Sequence, residues 1–524
     1  MVRWNVSLNR TALYAPKGVV ATSQPLAAST GLAVLRRGGN AVDAAIATAI
    51  ALTVVQPGSN DIGGDLFAIV WDGSALHGLN ASGRSPAALT LDRVGARMPE
   101  RGWLPVTVPG APGGWRDLHT RFGSSPFAEL FDDAIGYATE GYPVSPRVAD
   151  QWRRAVAVHA GLQGAEFAEW RRVFTLDGRA PAAGEEFGNP GAARTLRLIA
   201  DSGAAEFYHG EIARAVVASA AATGGLLTAD DLAGYASAWV DPIRTSYRGY
   251  DVWELPPNGQ GIAALMALAI LDGLPVSSVP EERRRHWQIE AMKLAFADAH
   301  AYVADPDVVA APITGLLDPA YVERRRALIG ERAGEPRPGD PVRGGTVYLC
   351  TADSGGMMVS LIQSTFMGFG SHVVIPGFGF GLQNRGVGFR VEPEHPNVVA
   401  GGKRPYHTII PGFLTRDGQP VGPFGVMGGH MQPQGHLQLI MSAVDDRLDP
   451  QSALNAPRWY WESGRRVRVE PELGSEVIEG LRRRGHDVTV EESDVFGYGQ
   501  AIWRTPNGYV AGSEPRADGC ALGY

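Results

Sequence analysis

A strand signal begins abruptly at Thr346 and reads Thr346-Val347-Tyr348-Leu349-Cys350-Thr351-Ala352-Asp353. A second one, Met357-Met358-Val359-Ser360-Leu361-Ile362-Gln363-Ser364, follows across Gly355-Gly356. Two apolar runs separated by a glycine turn predict a β-hairpin. The preceding residues, about 330–345, are rich in proline, glycine and charge, a composition that cannot bury a core. We therefore expect a hairpin that starts at Thr346, directly after an exposed, flexible linker.

Helix and strand signals alternate on both sides of this hairpin. Apolar residues recur at helical spacing from Leu26 to Val55 and are interrupted at Gly38-Gly39, which predicts two packed helices. A β-rich run over 63–73 predicts a strand, and 247–255 predicts another. The spacing of apolar residues over 126–232 predicts a layer of helices. A chain of 524 residues exceeds the ~250–300 residues that one core supports. We expect an α/β fold with two intimately packed halves or several layers.

The composition describes a loop-rich globular protein and argues against several other classes. Charged residues make up 19% and hydrophobic residues 44%, and the net charge is -8, with no basic tract longer than an arginine triplet. We interpret those triplets as solvated helix faces and expect no nucleic-acid partner. Cys350 and Cys520 are too few for a disulfide framework or a cysteine metal site. Neither a secretory signal nor a run of about 18 apolar residues stands out, which predicts a cytoplasmic location and no membrane partner.

Thr346 can become a nucleophile if the peptide bond before it is cut. A threonine hydroxyl reacts poorly at neutral pH, but a threonine at a chain N-terminus carries its own base in the α-amine, whose reference pKa is about 7.7–8.0. The bond between Gly345 and Thr346 lies where the linker enters the strand, and glycine has no Cβ to obstruct attack on its carbonyl. The same dipeptide is typical of a plain turn, so these residues alone leave both interpretations open.

Ordered motifs extend over nearly the whole chain. Before the linker they are Gly18–Thr22, Gly38–Ala45, Gln56–Gly64, Val106–Gly114, Tyr247–Tyr250, and Glu290–Lys293 through Ala304-Asp305-Pro306. After the linker they are Thr346–Asp353, Lys403–Pro405, Gly425–Gly429, Asn455–Arg458 and Gly512–Arg516. This series resembles the γ-glutamyltranspeptidase family, in particular its short branch of glutathione-hydrolase-like and oxamate amidohydrolase-like proteins. The resemblance implies a four-layer αββα sandwich, the fold of N-terminal-nucleophile hydrolases.

The resemblance also implies that the chain is a precursor that cuts itself. Cleavage between Gly345 and Thr346 would give a large subunit, residues 1–345, and a small subunit, residues 346–524. The two subunits would remain associated as one intertwined globular unit. Thr346 falls on the nucleophile position of the family.

Further residues match the catalytic machinery of the family. Ser364 falls where the family has a threonine that hydrogen-bonds the nucleophile, and a serine hydroxyl can do the same. Gly428 and Gly429 match the glycine pair whose backbone N–H groups stabilise the oxyanion. The alternatives are a polar strand residue and a plain turn. No cofactor is implied, since the nucleophile, its amine and these donors suffice for acyl transfer.

Three histidines near the glycine pair could suggest a metal site. They are His407, His430 and His436, and the last two are separated by residues for which we expect no helix that presents two histidines on one face. We therefore expect satisfied structural histidines and no metal.

The positions that hold the glutamyl group in the family have changed. Here they carry Ser82, with Arg84 two residues on, the pair His407-Thr408, and Phe366, Arg385 and Gly388. Phe366 and Gly388 offer no acceptor for a substrate ammonium, and Arg385 would repel one. Arg385 and His407 suit a carboxylate instead. We therefore predict that the substrate is a small amide, such as oxamate, with a carboxylate and no α-amino group. In the alternative, Arg385 is a structural residue paired with an acid such as Glu392.

The predicted mechanism is acyl transfer in two steps. Thr346 Oγ attacks the amide carbonyl, its α-amine serves as base and then acid, and water releases the product from the acyl-enzyme. The segment between Phe389 and Lys403 stands at the lid loop of the family and is short, which predicts an open site with water as acceptor. A rival prediction is a γ-glutamyl hydrolase or transpeptidase acting on glutathione, with Arg84 in place of the family arginine. A non-enzymatic alternative is an uncleaved binding or scaffold protein. The sequence leaves the physiological substrate and the formation of a homodimer open.

Overall fold

Two antiparallel sheets of seven strands form the centre of the computed structural model, which describes residues 10–335 and 345–524. The strands are β1 (Leu13–Ala15), β2 (Val19–Thr22), β3 (Asp65–Trp71), β4 (Leu76–Ala81), β5 (Tyr142–Pro143), β6 (Glu186–Phe187), β7 (Ala238–Val240), β8 (Ile243–Tyr247), β9 (Tyr250–Glu254), β10 (Gly345–Ala352), β11 (Met358–Phe366), β12 (Gly412–Arg416), β13 (Gln419–Met427), β14 (Trp459–Ser463), β15 (Arg466–Val469), β16 (Asp487–Val490), β17 (Tyr498–Thr505), β18 (Gly508–Ser513) and β19 (Cys520–Gly523). The first sheet has the order β1-β18-β17-β13-β12-β9-β8, and the second β19-β2-β10-β11-β3-β4-β7.

The helices of the described residues cover the outer faces of these sheets. They are α1 (Pro25–Arg36), α2 (Ala41–Val55), α3 (Leu91–Val94), α4 (Ala111–Phe122), α5 (Asp132–Glu140), α6 (Pro146–His159), α7 (Ala168–Phe174), α8 (Pro190–Ser202), α9 (Ala205–Tyr208), α10 (Glu211–Thr223), α11 (Ala229–Ala233), α12 (Gly261–Asp272), α13 (Glu281–Tyr302), α14 (Ile313–Leu316), α15 (Pro319–Arg326), α16 (Met431–Val444), α17 (Pro450–Asn455) and α18 (Ser475–Arg483). None of these described helices is both long enough and apolar enough to cross a membrane.

The layer order follows from the alternation of side chains along the strands. In β10, Tyr348 and Cys350 belong to a core that lies between the two sheets, together with residues of the facing sheet such as Phe413. Val347 and Leu349 point the other way, into a core shared with α1, α2 and the middle helices. A third core joins the opposite face of the first sheet to α12, α13 and α16. Helices, two sheets and helices thus stack in four layers, which confirms the predicted αββα sandwich.

The predicted hairpin is present and is tied to the helix layer beside it. β10 pairs with β11 in antiparallel register, with Leu349 opposite Leu361. The predicted helix pair is also present as α1 and α2, and α2 begins with a capping box formed by Asn40 and Asp43. The Asp353 carboxylate at the end of β10 accepts a hydrogen bond of 2.8 Å from the first helical N–H of α2. Local sequence signals and long-range contacts agree in this region, and this hydrogen bond ties the C-terminal end of β10 to the start of α2.

One local prediction needs a change of bounds, and one helix was not predicted. The strand expected over 247–255 is present as β9, but it begins at Tyr250, because Arg248 and Gly249 have φ values of 52° and 81° and turn the chain between β8 and β9. The residues after His430 form the helix α16, which contains His436 but not His430, so this helix does not present the two histidines together. Of the predicted linker, residues 330–335 bond to neighbouring segments, for example Ala333 N to Arg484 O, and residues 336–344 lie outside the described residues.

Candidate active site

Thr346 lies at an irregularity near the start of β10. Gly345 pairs with Phe366 and Val347 pairs with Gln363, so the register shifts at Thr346. Such a bulge re-aims a side chain out of the regular alternation. The Thr346 side chain is fully buried in the single chain, and its Oγ1 contacts Ser364 Oγ at 3.3 Å and Gln432 Nε2 at 3.5 Å. Thr346 is thus closed off from solvent in the uncleaved chain, and the open site expected from the short segment between Phe389 and Lys403 stays a prediction for the cleaved protein.

Ser364 joins the threonine to the rest of the site. Its Oγ accepts the Thr346 hydroxyl proton and is also within hydrogen-bond distance of Phe366 N at 2.8 Å and Arg385 Nη2 at 3.2 Å. The predicted hydrogen bond between Thr346 and Ser364 is thus present. The two N–H groups hold Ser364 Oγ in place, and its contact with Thr346 orients the threonine hydroxyl.

Arg385 is a buried cation whose hydrogen-bonding capacity is only partly used. Nη1 donates to Thr408 Oγ1 at 2.8 Å, Nη2 reaches Ser364, and the guanidinium stacks on the Phe366 ring, 4.3 Å from its centroid. Its Nε has no hydrogen-bond partner among the described residues. Burial lowers the pKa of Arg385, and the nearby Asp65 opposes that shift. A guanidinium with an unused donor is suited to bind an anion.

The alternative structural pairing of Arg385 with Glu392 was wrong. Glu392 instead binds Arg390, with 3.0 Å between Arg390 Nη2 and Glu392 Oε1, on the protein surface. No carboxylate of the described residues lies within salt-bridge distance of Arg385. The positive charge of Arg385 is therefore balanced only at longer range.

The Asp65 carboxylate opposes the positive charge of Arg385 at longer range, and the sequence did not predict this residue. Its Oδ1 accepts from the backbone N–H groups of Gly83 and Gly110 at 3.3 and 3.1 Å, and its Oδ2 lies 3.1 Å from Gln383 Nε2 and 3.0 Å from His407 Nε2. Burial raises the pKa of Asp65 to about 7, while Arg385 and the two backbone donors act in the opposite direction. The sequence signal for Asp65 was its place as the first residue of the fully buried strand β3, because a buried carboxylate requires hydrogen-bond or charged partners.

His407 and Thr408 make different hydrogen bonds in the site. His407 Nε2 faces Asp65, and Nδ1 accepts from Ile409 N at 3.3 Å, so both ring nitrogens are occupied within the protein. Burial and Arg385 hold the pKa of His407 well below its usual value, so the imidazole is neutral. The structure therefore argues against the predicted contact between His407 and a substrate carboxylate. Thr408 remains a candidate, because it orients Arg385 directly.

Phe366 and Gly388 shape the wall next to Arg385. Phe366 has a φ of 78°, a strained conformation for an aromatic residue, and its N–H is satisfied by Ser364 Oγ. A Cβ on Gly388 would lie 2.4 Å from the Tyr406 carbonyl oxygen, so no side chain fits there. The site offers an aromatic face and a guanidinium at these two positions, and neither can accept a hydrogen bond from an ammonium.

The glycine pair lies at the N-terminus of α16. Gly428 and Gly429 have φ values of 130° and 64°, which favour glycine. Gln260 Nε2 donates to the Gly429 carbonyl at 2.9 Å and thereby orients that peptide. No backbone hydrogen bond in the described turns and loops uses the N–H of either glycine. Free N–H groups at a positive helix end are suited to bind an oxyanion, which supports the predicted role.

Arg84, the remaining predicted substrate-binding residue, lies in a group of charged residues. Arg84 binds Asp307, the Asp305 carboxylate at 2.8 Å and the Gly402 carbonyl at 2.9 Å, and none of its described contacts is with Thr346, Ser364 or Arg385. Its role in substrate binding stays a prediction.

Within the described residues, one group of three side chains has the spacing of a metal site. It consists of His286, Glu290 and His486. His286 Nδ1 and His486 Nε2 bond to each other at 2.8 Å, and Lys293 Nζ lies 2.7 Å from a Glu290 oxygen. The ammonium already neutralises the carboxylate, so this arrangement favours an ion pair over a metal ion.

His436 and His430 lie outside this group of potential metal ligands. His436 Nδ1 bonds Glu254 at 2.6 Å, but His436 Nε2 has no hydrogen-bond partner among the described residues, so the prediction of a fully satisfied histidine holds for one ring nitrogen only. His430 packs against the rings of Phe296 and His300 beside the glycine pair, and burial holds the pKa of His430 well below its usual value.

The fold and the site together define an N-terminal-nucleophile hydrolase: an αββα sandwich with a buried threonine at the start of a central strand. The family model for gamma-glutamyltranspeptidase matches residues 27–524, and the chain belongs to this family. It is therefore an amidohydrolase of the class that is made as a proenzyme.

Similar proteins cover almost the whole chain. The glutathione hydrolase-like YwrD proenzyme of Bacillus subtilis (strain 168) is 34% identical over 522 residues, which span 97% of this chain and 98% of the relative. The oxamate amidohydrolase proenzyme of Klebsiella pneumoniae is 33% identical over 531 residues, which span 97% and 98%. The crystal structure of a cephalosporin acylase from Bacillus halodurans is 50% identical, covers 99% of this chain and 98% of its own, and superimposes with a TM-score of 0.96.

Proposed function

We propose that this chain is a self-cleaving proenzyme whose Thr346 hydrolyses the amide bond of a small substrate that bears a carboxylate and no α-amino group. The observation that carries the proposal is Arg385, a buried guanidinium with an unused donor and no paired carboxylate among the described residues. Such a cation is costly to bury unless an anion completes it during the reaction.

The position of Arg385 favours a short substrate. Two hydrogen bonds, of 3.2 and 3.3 Å through Ser364, span the distance from the guanidinium to Thr346 Oγ1. A carboxylate paired with Arg385 would therefore lie only a few bonds from a carbonyl carbon within reach of Thr346 Oγ1. Oxamate, in which the carboxylate and the amide carbonyl are directly bonded, has this shape. The name of the Klebsiella pneumoniae relative, an oxamate amidohydrolase, supports the same substrate class.

The surroundings disfavour a γ-glutamyl head group. A free α-ammonium needs acceptors, but Phe366 presents a ring, Gly388 has no side chain and Arg385 is positive. The nearby carboxylate of Asp65 is already bonded to Gln383, His407 and two backbone N–H groups. An ammonium in this site would remain without a partner, which disfavours its binding.

The proposed cleavage is an N-to-O acyl shift followed by hydrolysis. Thr346 Oγ adds to the Gly345 carbonyl carbon, the bond from that carbon to Thr346 N breaks, and the nitrogen takes up the proton. Water then cleaves the ester, which gives a carboxylate on Gly345 and a free amine and hydroxyl on Thr346. In each turnover the same hydroxyl attacks the substrate, ammonia leaves with a proton from the α-amine, and water releases the acid.

The two proposed subunits remain interleaved after such a cut. In the second sheet β10 and β11, both from residues 346–524 after cleavage, lie between β2 and β3 of residues 1–345. Separating the subunits would break the ladders on both sides of the hairpin. We expect the two products of cleavage to copurify as one particle.

Two measurements on purified protein test the proposal. Denaturing electrophoresis should show two bands that copurify, whose N-terminal sequencing places the new end at Thr346, and a Thr346→Ala variant should show one. Ammonia release from oxamate should exceed hydrolysis of a γ-glutamyl anilide. Faster hydrolysis of the anilide would contradict the substrate class, and a single band that persists on incubation would contradict the enzyme itself.

A further inference from the structure

Gln432 contacts the proposed nucleophile, although the sequence motifs did not single it out. It is fully buried in the first turn of α16, three residues after Gly429, and its Nε2 lies 3.5 Å from Thr346 Oγ1. Among the described residues, Thr346 Oγ1 has two side-chain partners, Ser364 and Gln432. The environment of the hydroxyl is therefore set by these two residues.

The orientation of the Gln432 amide follows from its second contact. Ile410 N, which can only donate, lies 2.9 Å from Gln432 Oε1. The oxygen must therefore face Ile410, and the NH₂ group, which can only donate, must face Thr346 Oγ1. In the same arrangement the threonine hydroxyl donates its own proton to Ser364 Oγ. Thr346 Oγ1 is an acceptor on one side and a donor on the other.

A donor aimed at Thr346 Oγ1 matters most when that oxygen carries negative charge. Before cleavage the nitrogen of Thr346 belongs to a peptide bond and cannot act as a base, so the hydroxyl lacks the amine that serves it later. A preorganised N–H in a water-excluded site stabilises charge as it develops on the attacking oxygen. The contact with Gln432 is thus most needed in the cleavage step.

We propose that Gln432 is a positioning residue that orients Thr346 and stabilises the charge on its oxygen, first in cleavage of the Gly345–Thr346 bond and then in turnover. The inference rests on the proposed function, since it assigns a role within that reaction. Gln432 contacts Thr346 through Nε2 and is anchored to Ile410 N through Oε1. A substitution can therefore change the contact with Thr346 and keep the contact with Ile410.

The Gln432→Glu substitution makes that separation. A glutamate keeps an acceptor for Ile410 N and replaces the donor toward Thr346 with an oxygen that can donate only when protonated. Cleavage, followed as the disappearance of the precursor band, should slow by about 10- to 100-fold, the effect of losing a hydrogen bond to a charged group. The rate relative to the wild type should recover as pH falls from about 8 to about 5, because the buried carboxyl then takes up a proton.

Gln438 provides the matched control. It is buried in the same helix, accepts from Trp459 N at 3.0 Å and donates to the Trp459 and Gln434 carbonyls. The Gln438→Glu variant loses a comparable set of hydrogen bonds and leaves the side-chain contacts of Thr346 unchanged. We expect a lower Tm for this variant but cleavage and turnover rates within about threefold of the wild type at temperatures well below that Tm.

A Gln432→Met variant provides a second test, because it removes both contacts at every pH. It should cleave slowly throughout, without recovery at low pH. The inference is wrong if Gln432→Glu cleaves as fast as the wild type, if the Gln438 control slows equally, or if acid fails to restore the glutamate variant. A wild-type chain that neither cleaves nor releases ammonia would instead overturn the proposed function, so the two failures are distinguishable.

Discussion

Replacing Arg385 with glutamine removes the charge that the proposed substrate would meet while it keeps a polar side chain. The guanidinium bonds to Ser364 and Thr408, stacks on Phe366 and is balanced at longer range by Asp65. Asp65 keeps four other donors after the substitution. The folded state therefore loses about two hydrogen bonds, worth about 1 kcal/mol each, and is relieved of one incompletely paired buried cation. We expect a change in Tm of only a few degrees.

The effect on catalysis should be far larger for a carboxylate substrate. Truncating one partner of a buried, hydrogen-bonded charge pair costs about 2–5 kcal/mol. At about 1.4 kcal/mol for each factor of ten, kcat/KM for oxamate should fall by about 30-fold to several thousand-fold. For oxamide, which carries no charge, the same substitution removes no ion pair, and kcat/KM should change by less than about tenfold.

The assay compares ammonia release from oxamate and from oxamide by wild-type protein and two variants. Arg390→Gln is the matched control, because Arg390 is close in sequence but pairs with Glu392 at the surface. That variant should behave like the wild type, since exposed ion pairs contribute about 1 kcal/mol or less. Equal losses on both substrates in Arg385→Gln, or a loss on oxamate below about threefold, would refute the assignment of Arg385 to the carboxylate.

Three further predictions concern the same site. Ser364→Ala should slow both cleavage and ammonia release by about tenfold or more, whereas Ser364→Thr, which keeps the hydroxyl, should restore both on the same gels and assays. Because burial raises the pKa of Asp65 to about 7, a proton bound below that pH leaves Arg385 unbalanced, so KM for oxamate should fall between about pH 8 and about pH 6. Asp65→Asn should abolish this pH dependence of KM, and a KM that rises on acidification would contradict the reasoning. With added glycylglycine, chromatography should find the free acid as the main product, and a dominant transfer product would contradict the expectation of hydrolysis.

The hairpin and the helix pair could be predicted because their signals are local, whereas the four-layer order was implied by resemblance to a family. Val347, Tyr348, Leu349 and Cys350 are all apolar, so the sequence predicts a buried strand, and the fold shows which side chains face each of the two cores. The turn at Arg248 was missed because its positive φ is carried by a residue that does not favour it, so a continuous strand was the better local interpretation.

The contacts of the site could not be predicted in the same way, because they join distant parts of the chain. Asp65 and His407 are 342 residues apart, and Thr346 and Gln432 are 86 apart. Resemblance to a family placed Thr346, Ser364 and the glycine pair, since those positions belong to shared motifs. It could not show that both nitrogens of His407 are occupied or that Arg385 has no paired acid among residues 10–335 and 345–524, because such facts depend on neighbours that only the folded chain supplies.

In the proposed reaction, the Gly345 carbonyl stands first where the acyl group of the substrate would stand later. In cleavage Thr346 Oγ must reach the Gly345 carbonyl carbon, and in turnover the same oxygen must reach the carbonyl carbon of the substrate, so the two carbons take equivalent places in succession. Gly345 pairs with the backbone of Phe366, the residue whose ring stacks with Arg385. Cleavage would then supply the α-amine base and, once Gly345 leaves its pairing with Phe366, vacate the space that a small carboxylate-bearing amide needs.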